Sequence, residues 1–233
     1  VNEAPSGTNA TVTITEDTSH VLTAANFGFS DVDAGDALSA VRIDTLPTAG
    51  TLTLSGTAVT AGQVITTADL AAGQLVFTPA ADANGTGYAR MTFSVRDSTN
   101  LYDPTPNTLT VNVTAVNDRP TDLSLSANTV AEHAANGTVV GTVTGSDPDA
   151  GDTKSYSLTN TAGGRFAINR TTGALTVANS TLLNYEAATS HAVTVRVTDR
   201  GGLTYDETFT INLTNVNEAP SGTNATVTIT EDT

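Results

Sequence analysis

Residues 91–97 read MTFSVRD and residues 193–199 read VTVRVTD. In both stretches apolar residues alternate with Thr, Ser or Arg, and an aspartate ends the run. A period of two that is rich in Val and Thr is typical of a β-strand with one buried face. The same alternation returns at 109–114 and 209–214. Several short strands in each half of the chain predict an all-β fold of antiparallel sandwiches, with at most a turn or two of helix at TTADLAAG, residues 66–73.

The chain repeats itself at two levels. The eighteen residues VNEAPSGTNATVTITEDT occur identically at 1–18 and at 216–233. Within this long repeat, VNE or VND recurs at positions 1, 116 and 216 and marks shorter units. We therefore predict domains at 1–115 and 116–215, followed at 216–233 by a linker and the first strand of the next repeat. The sequence leaves open whether that last strand is ordered or is exchanged with a second copy of the chain.

The composition excludes several classes of protein. Among 233 residues, 24 are acidic and 9 are basic, which gives a formal net charge of −15. Such a surface repels phosphate backbones and anionic lipids, so we expect no nucleic-acid partner, and it attracts cations. The chain has no cysteine, which excludes disulfides and thiolate metal sites. No apolar run approaches the roughly 20 residues of a membrane helix, so we expect no membrane insertion.

Motifs of catalysis are absent from the sequence. There is no Walker A motif and no nucleophile elbow. The three histidines, His20, His133 and His191, share no HxH or HExxH spacing, which argues against zinc. Carboxylate pairs could imitate a glycosidase site, but the recurring ones suit a cation better. We therefore predict a protein that is not an enzyme and has no catalytic residues.

Acidic residues recur at equal spacing in the two domains. SDVDAGD at 30–36 matches SDPDAGD at 146–152, and a glutamate precedes the first aspartate of each DxD by 15 residues. Calcium takes six to eight oxygen ligands, which such residues supply, so we predict Ca²⁺ binding. The alternative is that these aspartates only form turns. An EF-hand is excluded because position twelve of its loop is Arg42 or Leu158 here, not glutamate.

Residues 116–215 resemble a cadherin domain. The motifs that carry the resemblance are AEH at 131–133, SDPDAGD at 146–152, INRTTGALTV at 168–177, LNYE at 183–186 and NVNEAP at 215–220. Residues 1–115 resemble the cadherin-like tandem repeats of giant bacterial surface adhesins of the RTX type, through ITED, SDVDAGD, FTPAADANGTG and FSVRD. The resemblance implies two seven-stranded Greek-key sandwiches with calcium bound between successive domains.

The resemblance also implies three groups of metal ligands. One complete junction comprises Glu16, Asp82, Asn84, Asn117, Asp118, Asp147, Asp149 and Asp199. A half-site at the start of the chain comprises Asn2, Glu3, Asp31, Asp33 and Asp97. A half-site at the other end comprises Glu132, Asn184, Glu186, Asn217 and Glu218. Asn84 and Asn184 stand where the family pattern has carboxylates, so we expect weaker or fewer ions there.

These features predict a calcium-rigidified extender module of a large cell-surface or secreted adhesin that supports cell adhesion. Its partners would be neighbouring repeats of the same chain, and its location the bacterial surface or the extracellular medium. The alternative is a module that binds carbohydrate directly or binds a second copy of itself. The chain has no tryptophan and only 5% aromatic residues, which favours the extender because sugars stack on aromatic faces.

Overall fold

The chain is described here from a computed structural model, in which residues 2–220, 222, 226–228 and 231 are placed. It divides into two compact units, Val1–Asn117 and Asp118–Thr233, hereafter unit 1 and unit 2. The first strand of a third repeat, predicted within 216–233, falls largely on residues outside the described set. No helix in the described part of the chain has the length and hydropathy needed to span a membrane.

Unit 1 is a sandwich of two sheets. Its described strands are β1 (Ala10–Thr15), β2 (His20–Val21), β3 (Ala40–Thr45), β4 (Thr51–Leu54), β5 (Thr57–Ala58), β6 (Val64–Thr66), β7 (Leu75–Thr78), β8 (Gly85–Arg96) and β9 (Asn107–Thr114). One sheet has the order β1-β9-β8-β3-β6, with β1 parallel to β9, and the other has the order β2-β7-β4-β5. The predicted all-β sandwich is therefore confirmed for this unit.

The core of unit 1 lies between the inner faces of its sheets. Met91, Phe93 and Val95 of β8 alternate inward and are buried, as the sequence pattern predicts. Phe93 meets Phe27 edge-on, with 4.8 Å between the ring centroids. Such aromatic pairs add to the stabilisation that apolar burial already provides.

Unit 1 exceeds the predicted seven strands because of an insertion between β4 and β7. The inserted segment forms β5, β6 and the helix α1 (Thr67–Ala71), so the predicted short helix is confirmed. Thr66 caps this helix: its Oγ1 accepts a hydrogen bond from the Asp69 N–H at 3.1 Å. Asp69 accepts in return from the Thr66 N–H at 3.0 Å, which completes a capping box.

Unit 2 is a sandwich without that insertion. Its described strands are β10 (Asp122–Leu125), β11 (Thr129–Ala131), β12 (Val139–Ser146), β13 (Ser155–Asn160), β14 (Phe166–Ile168), β15 (Ala174–Val177), β16 (Ser190–Thr198) and β17 (Thr204–Thr214). The sheets have the orders β10-β12-β15-β14 and β11-β17-β16-β13. Since β10 and β11 are two parts of one first strand shared between the sheets, the unit has the seven strands predicted.

A tight turn replaces the insertion in unit 2. Gly173 lies between β14 and β15 at φ +70°, in the left-handed region that favours glycine. A Cβ at this position would lie 2.3 Å from the backbone oxygen of Val143. The turn therefore admits no side chain, and it holds β14 and β15 in register over the core formed by Val193, Val195 and Val197 of β16.

Candidate metal centres

Each unit carries polar clusters at the two ends of a long strand. In unit 1, Asn84 directly precedes β8 and Asp97 directly follows it. In unit 2, Glu186 precedes β16 and Asp199 directly follows it. We call the cluster around Asp97 or Asp199 the upper cluster of its unit, and the cluster around Asn84 or Glu186 the lower cluster.

The upper cluster of unit 1 is built on the DxD motif. Asp31 Oδ1 accepts the N–H of Asp33 at 2.9 Å, which closes a local turn. Asp33 Oδ2 accepts the N–H of Glu3 at 2.6 Å, which attaches the N-terminal segment to the motif. Asp31, Asp33 and Asp36 each offer a carboxylate oxygen within 4.8 Å of the other two. The cluster thus holds three carboxylates at the spacing of ligands around one cation.

Asp97 at the end of β8 contacts the same N-terminal segment through Asn2. Its side chain is fully buried, and Oδ1 accepts the N–H groups of Leu101 and Thr99, both at 2.8 Å. Asn2 Nδ2 donates to Oδ2 at 3.2 Å. Burial would raise the pKa of Asp97, but the hydrogen bonds from Leu101, Thr99 and Asn2 outweigh it and lower that pKa. Asp97 is therefore held as a carboxylate.

The upper cluster of unit 2 repeats these hydrogen bonds. Asp147 Oδ1 accepts the N–H of Asp149 at 3.0 Å, and Asp149 Oδ2 accepts the N–H of Asp118 at 2.8 Å. Asp199, only 6% exposed, accepts the N–H of Leu203 at 2.8 Å. Asp147, Asp152 and Asp199 offer carboxylate oxygens within 4.8 Å of one another. The same loop is therefore formed twice in one chain.

The first aspartate of each DxD motif has a buried oxygen to which the structure gives no partner. Asp31 Oδ2 and Asp147 Oδ2 are both inaccessible to solvent, and neither has a hydrogen-bond donor among the described residues. Burying a charged oxygen without a partner is costly, so native structures nearly always satisfy it. A cation that ligates these oxygens removes the cost. The donor set therefore fits a hard divalent ion such as calcium.

The lower cluster of unit 1 surrounds Glu16, which is 1% exposed. Its Oε1 accepts the N–H of Val116 at 2.5 Å, and its Oε2 accepts Asn84 Nδ2 at 2.9 Å. Asp17 Oδ1 accepts the N–H of Asp82 at 3.1 Å. Asp17 and Asp82 have φ of +58° and +54°. Asn84 thus contacts the buried carboxylate of Glu16 directly, and Asp17 and Asp82 form a second contact beside it in the chain.

The lower cluster of unit 2 surrounds Glu132, which is 2% exposed. Its Oε2 accepts the N–H of Tyr185 at 2.7 Å, and its Oε1 accepts the N–H of Val216 at 2.8 Å. These two donors lower the pKa of Glu132 against the opposing effect of burial. His133 Nε2 lies 2.6 Å from Glu218 Oε1 and 3.8 Å from Glu132 Oε2.

The remaining predicted ligands lie in less direct positions. Asn184 Oδ1 accepts the N–H of Ala187 at 2.6 Å, so this amide caps a local turn. Glu186 Oε1 accepts Asn215 Nδ2 at 2.8 Å. Asn117 and Asn217 lie in exposed segments outside the strands. Of the predicted junction, Glu16, Asp82, Asn84 and Asn117 belong to unit 1, and Asp118, Asp147, Asp149 and Asp199 belong to unit 2.

Four residues of these clusters were absent from the predicted ligand set. Asp36 and Asp152 occupy the last position of the two matching SDxDAGD motifs, so their recurrence was a usable signal. Asp17 and His133 each follow the buried glutamate of their unit. Both residues have a left-handed backbone, φ +58° and +54°, which Asp and His adopt more often than most residues, so the sequence offered only a weak signal.

Comparison with known proteins identifies the domain type. Residues 127–230 match the family model of the cadherin domain, and residues 1–114 match that of a cadherin-like domain. Human cadherin-related family member 2 is 35% identical over 116 residues, which cover 47% of this chain and 9% of that protein. The chain thus spans less than a tenth of this curated relative.

Solved structures show the same fold at low sequence identity. Protocadherin gamma B2 extracellular cadherin domains 1–5 align with a TM-score of 0.60 and 16% identity, over 93% of this chain and 40% of that one. Mouse cadherin-23 EC22–24 aligns with a TM-score of 0.56 and 22% identity, over 93% and 67%. Human mucin-like protocadherin EC1–2 aligns with a TM-score of 0.53 and 17% identity, over 91% and 98%.

Cadherin domains are extracellular and generally bind calcium, and they are implicated in cell adhesion. They form tandem repeats and are typically not enzymes. For each half of this chain, the family model that matches its sequence and the sandwich fold indicate the same type of domain. Each unit of this protein is a cadherin-like domain.

Proposed function

We propose that this chain is a calcium-stiffened extender module of a large extracellular adhesin. The observation that supports it most directly is the buried carboxylate oxygen at Asp31 and at Asp147, which has no donor among the described residues and recurs at the same motif position in both units. A structural turn needs no such oxygen. A calcium ion, which collects carboxylate and carbonyl oxygens, accounts for it twice.

The ligand sets proposed for calcium are those implied by the sequence resemblance. The lower cluster of unit 1 (Glu16, Asp82, Asn84, Asn117) and the upper cluster of unit 2 (Asp118, Asp147, Asp149, Asp199) would ligate the same ions. Ions held by residues on both sides of the linker at 115–120 would restrict its motion. The domain limits of 1–115, 116–215 and 216–233 belong to this same proposal.

Thermal unfolding of the whole chain tests calcium binding. An ion that binds the folded state alone stabilises it by about 2.7 kcal/mol at one hundred times its Kd. Extracellular calcium modules have Kd of about 10⁻⁴–10⁻³ M, so millimolar calcium should raise the melting temperature above that in chelator. Magnesium at equal concentration is the control. An unchanged melting temperature in calcium contradicts the proposed site.

Small-angle scattering tests the stiffening role separately from binding. If calcium restricts the linker, the distribution of intramolecular distances should be narrower in calcium than in chelator. If calcium raises the melting temperature but leaves that distribution unchanged, the ions stabilise the units without stiffening the chain, and the extender role fails while the metal sites remain.

The host and the binding partner are further parts of the proposal. The resemblance of residues 1–115 to repeats of bacterial adhesins supports a bacterial surface, whereas the curated relative is a human protein.

Binding to a second copy is the alternative supported by comparison, since one similar structure is described as a protocadherin gammaB7 EC3–6 cis-dimer. Sedimentation analysis in calcium distinguishes the extender role from self-association. A monomer at high protein concentration supports the extender, and a dimer supports binding to a second copy. A glycan array tests the carbohydrate alternative.

A further inference from the structure

The two lower clusters differ at one position that changes the chemistry of the site. The residue after the buried glutamate is Asp17 in unit 1 and His133 in unit 2. Both residues have a left-handed backbone, with φ of +58° and +54°. Unit 2 thus places an imidazole where unit 1 places a carboxylate.

The imidazole of His133 lies among carboxylates. His133 Nε2 is 2.6 Å from Glu218 Oε1 and 3.8 Å from Glu132 Oε2, and each residue offers a ligand atom within 4.8 Å of the other two. Glu132 is fixed by the N–H groups of Tyr185 and Val216. The side chains of His133 and Glu218 are 46% and 44% exposed, so both can adjust and an ion can enter from solvent.

The distances are compatible with a small ion bound by nitrogen and oxygen. Zinc bound at about 2.0–2.1 Å in a tetrahedron separates its ligand atoms by about 3.3 Å. The 2.6 Å pair would widen and the 3.8 Å pair would close, each by less than an ångström. The two exposed side chains provide that movement, while Glu132 remains in place. The fourth position would be open to water.

Ligand preference separates this site from a calcium site. Calcium takes oxygen ligands, so an imidazole nitrogen contributes nothing to its coordination. Imidazole suits zinc, copper and nickel, and carboxylates accept the same ions. The absent HxH and HExxH spacings concern ligands close together in the sequence, whereas the fold brings together His133 and Glu218, which are 85 residues apart.

We propose that Glu132, His133 and Glu218 form a site for a divalent transition-metal ion of the zinc type at the lower end of unit 2. The site goes beyond calcium binding and does not require it. Because Glu132 and Glu218 are also proposed calcium ligands, zinc and calcium compete at this end of the chain. The lower cluster of unit 1, which has Asp17 in place of His133, keeps its preference for calcium.

Calorimetric titration of the tag-free full chain with zinc chloride at about pH 7.5 tests the site. We expect one zinc ion per chain, with the affinity falling at least about tenfold in His133→Asn and in Glu218→Gln. His20→Asn, which removes a histidine of unit 1, is the matched control and should leave the affinity unchanged. Equal zinc affinity in the parent chain and in His133→Asn would overturn the proposal.

Two further measurements separate this inference from the calcium proposal. Zinc should shift the ring resonances of His133 and leave those of His20 and His191 in place, which identifies the ligand directly. The calcium-dependent melting temperature is then measured in His133→Asn. If zinc fails to bind while calcium still stabilises the chain, this inference is wrong and the calcium proposal stands. If zinc binds but calcium does not raise the melting temperature, the calcium proposal is wrong and the zinc site stands.

Discussion

Unit 1 and unit 2 form the same DxD loop on different frameworks. The hydrogen bonds Asp31 to Asp33 and Asp147 to Asp149 agree within 0.1 Å, at 2.9 Å and 3.0 Å. Between β4 and β7, however, unit 1 inserts two strands and a helix, where unit 2 makes only the turn at Gly173. The loop is therefore independent of the insertion, since it is fixed by its own short-range hydrogen bonds and by the strand that ends beside it.

The lower clusters, unlike the DxD loops, differ between the two units. Each has a buried glutamate: Glu16 accepts one backbone N–H and the amide of Asn84, whereas Glu132 accepts two backbone N–H groups and lies beside His133 and Glu218. The two units thus share the buried glutamate, and they differ in the side chains around it. This contrast shows where selectivity for one ion over another can differ between the units.

The largest effect is expected from emptying the core of one unit. Phe93→Ala removes a fully buried ring that packs edge-on against Phe27. Substitutions of this kind destabilise by about 3–5 kcal/mol. Because the cores of the two units form separate clusters, we expect unit 1 to unfold at lower urea while unit 2 keeps its midpoint. Resolved amide resonances of each unit measure this, and a joint loss of both midpoints would contradict separate cores.

The next largest effect concerns the two DxD loops. In Asp147→Asn the predicted junction loses a carboxylate, and a calcium contribution of about 2.7 kcal/mol at one hundred Kd should largely disappear. Asp31→Asn should reduce the stabilisation by calcium less than Asp147→Asn does, because the half-site at Asp31 has fewer predicted ligands. The difference in melting temperature between millimolar calcium and chelator measures both variants.

The exposed Asp122 on β10 supplies the control for this comparison. Asp122→Asn should keep the full calcium effect of the parent chain. If calcium raises the melting temperature equally in Asp147→Asn and the parent chain, Asp147 is not a calcium ligand. If Asp31→Asn loses more of the calcium effect than Asp147→Asn, the expected order of the two loops is wrong.

Sequence alone predicted the parts of this molecule that depend on local patterns. The alternation in Met91, Phe93 and Val95 predicted an inward face because strand geometry places every second side chain on one side. The repeated SDxDAGD motif predicted the paired loops because their hydrogen bonds span only two residues. The binding of metal by these loops stays a prediction.

The parts that sequence did not predict are two very short strands and one contact between residues distant in the chain. The strands β5 and β6 are only two and three residues long, and they pair with β4 and β3 without a periodic signal of their own. The approach of His133 to Glu218 depends on the left-handed backbone at His133 and on the path of the chain after β17. Neither feature is visible in the spacing of residues.

A moderate effect is expected at the turn that replaces the insertion in unit 2. Gly173→Ala forces a side chain into the left-handed region and 2.3 Å from the Val143 oxygen. Such backbone strain costs about 1–3 kcal/mol. Gly137→Ala is the matched control, since its φ is also positive, +88°, but nothing lies within 4 Å of its Cβ. We expect the urea midpoint of unit 2 to fall further in Gly173→Ala, and equal shifts would show that the contact with Val143 is relieved.

The smallest effect concerns the outer faces of the two equivalent strands β8 and β16. In unit 2, Arg196 makes two hydrogen bonds of 2.8 Å to Asp206 on β17, whereas the equivalent Ser94 of unit 1 donates to Asp44 at 2.7 Å. The hydrogen bonds from Arg196 lower the pKa of Asp206 from its ordinary value of 3.8; burial opposes this shift, and the charge of Arg196 adds to it. Both side chains are about 40% exposed, at 43% and 38%, so solvent screens the pair.

The pH dependence of this pair follows from the lowered pKa. A carboxylate with a lowered pKa in the folded state stabilises fully above its unfolded pKa of 3.8, and its contribution is lost as the pH falls through the lower folded value. Asp206→Asn should therefore destabilise unit 2 by about 0.2–1 kcal/mol at neutral pH. The difference from the parent chain should shrink toward zero below pH 3.8. Urea unfolding over that range measures it, and a difference that stays constant with pH would show that Asp206 contributes through packing and not through its charge.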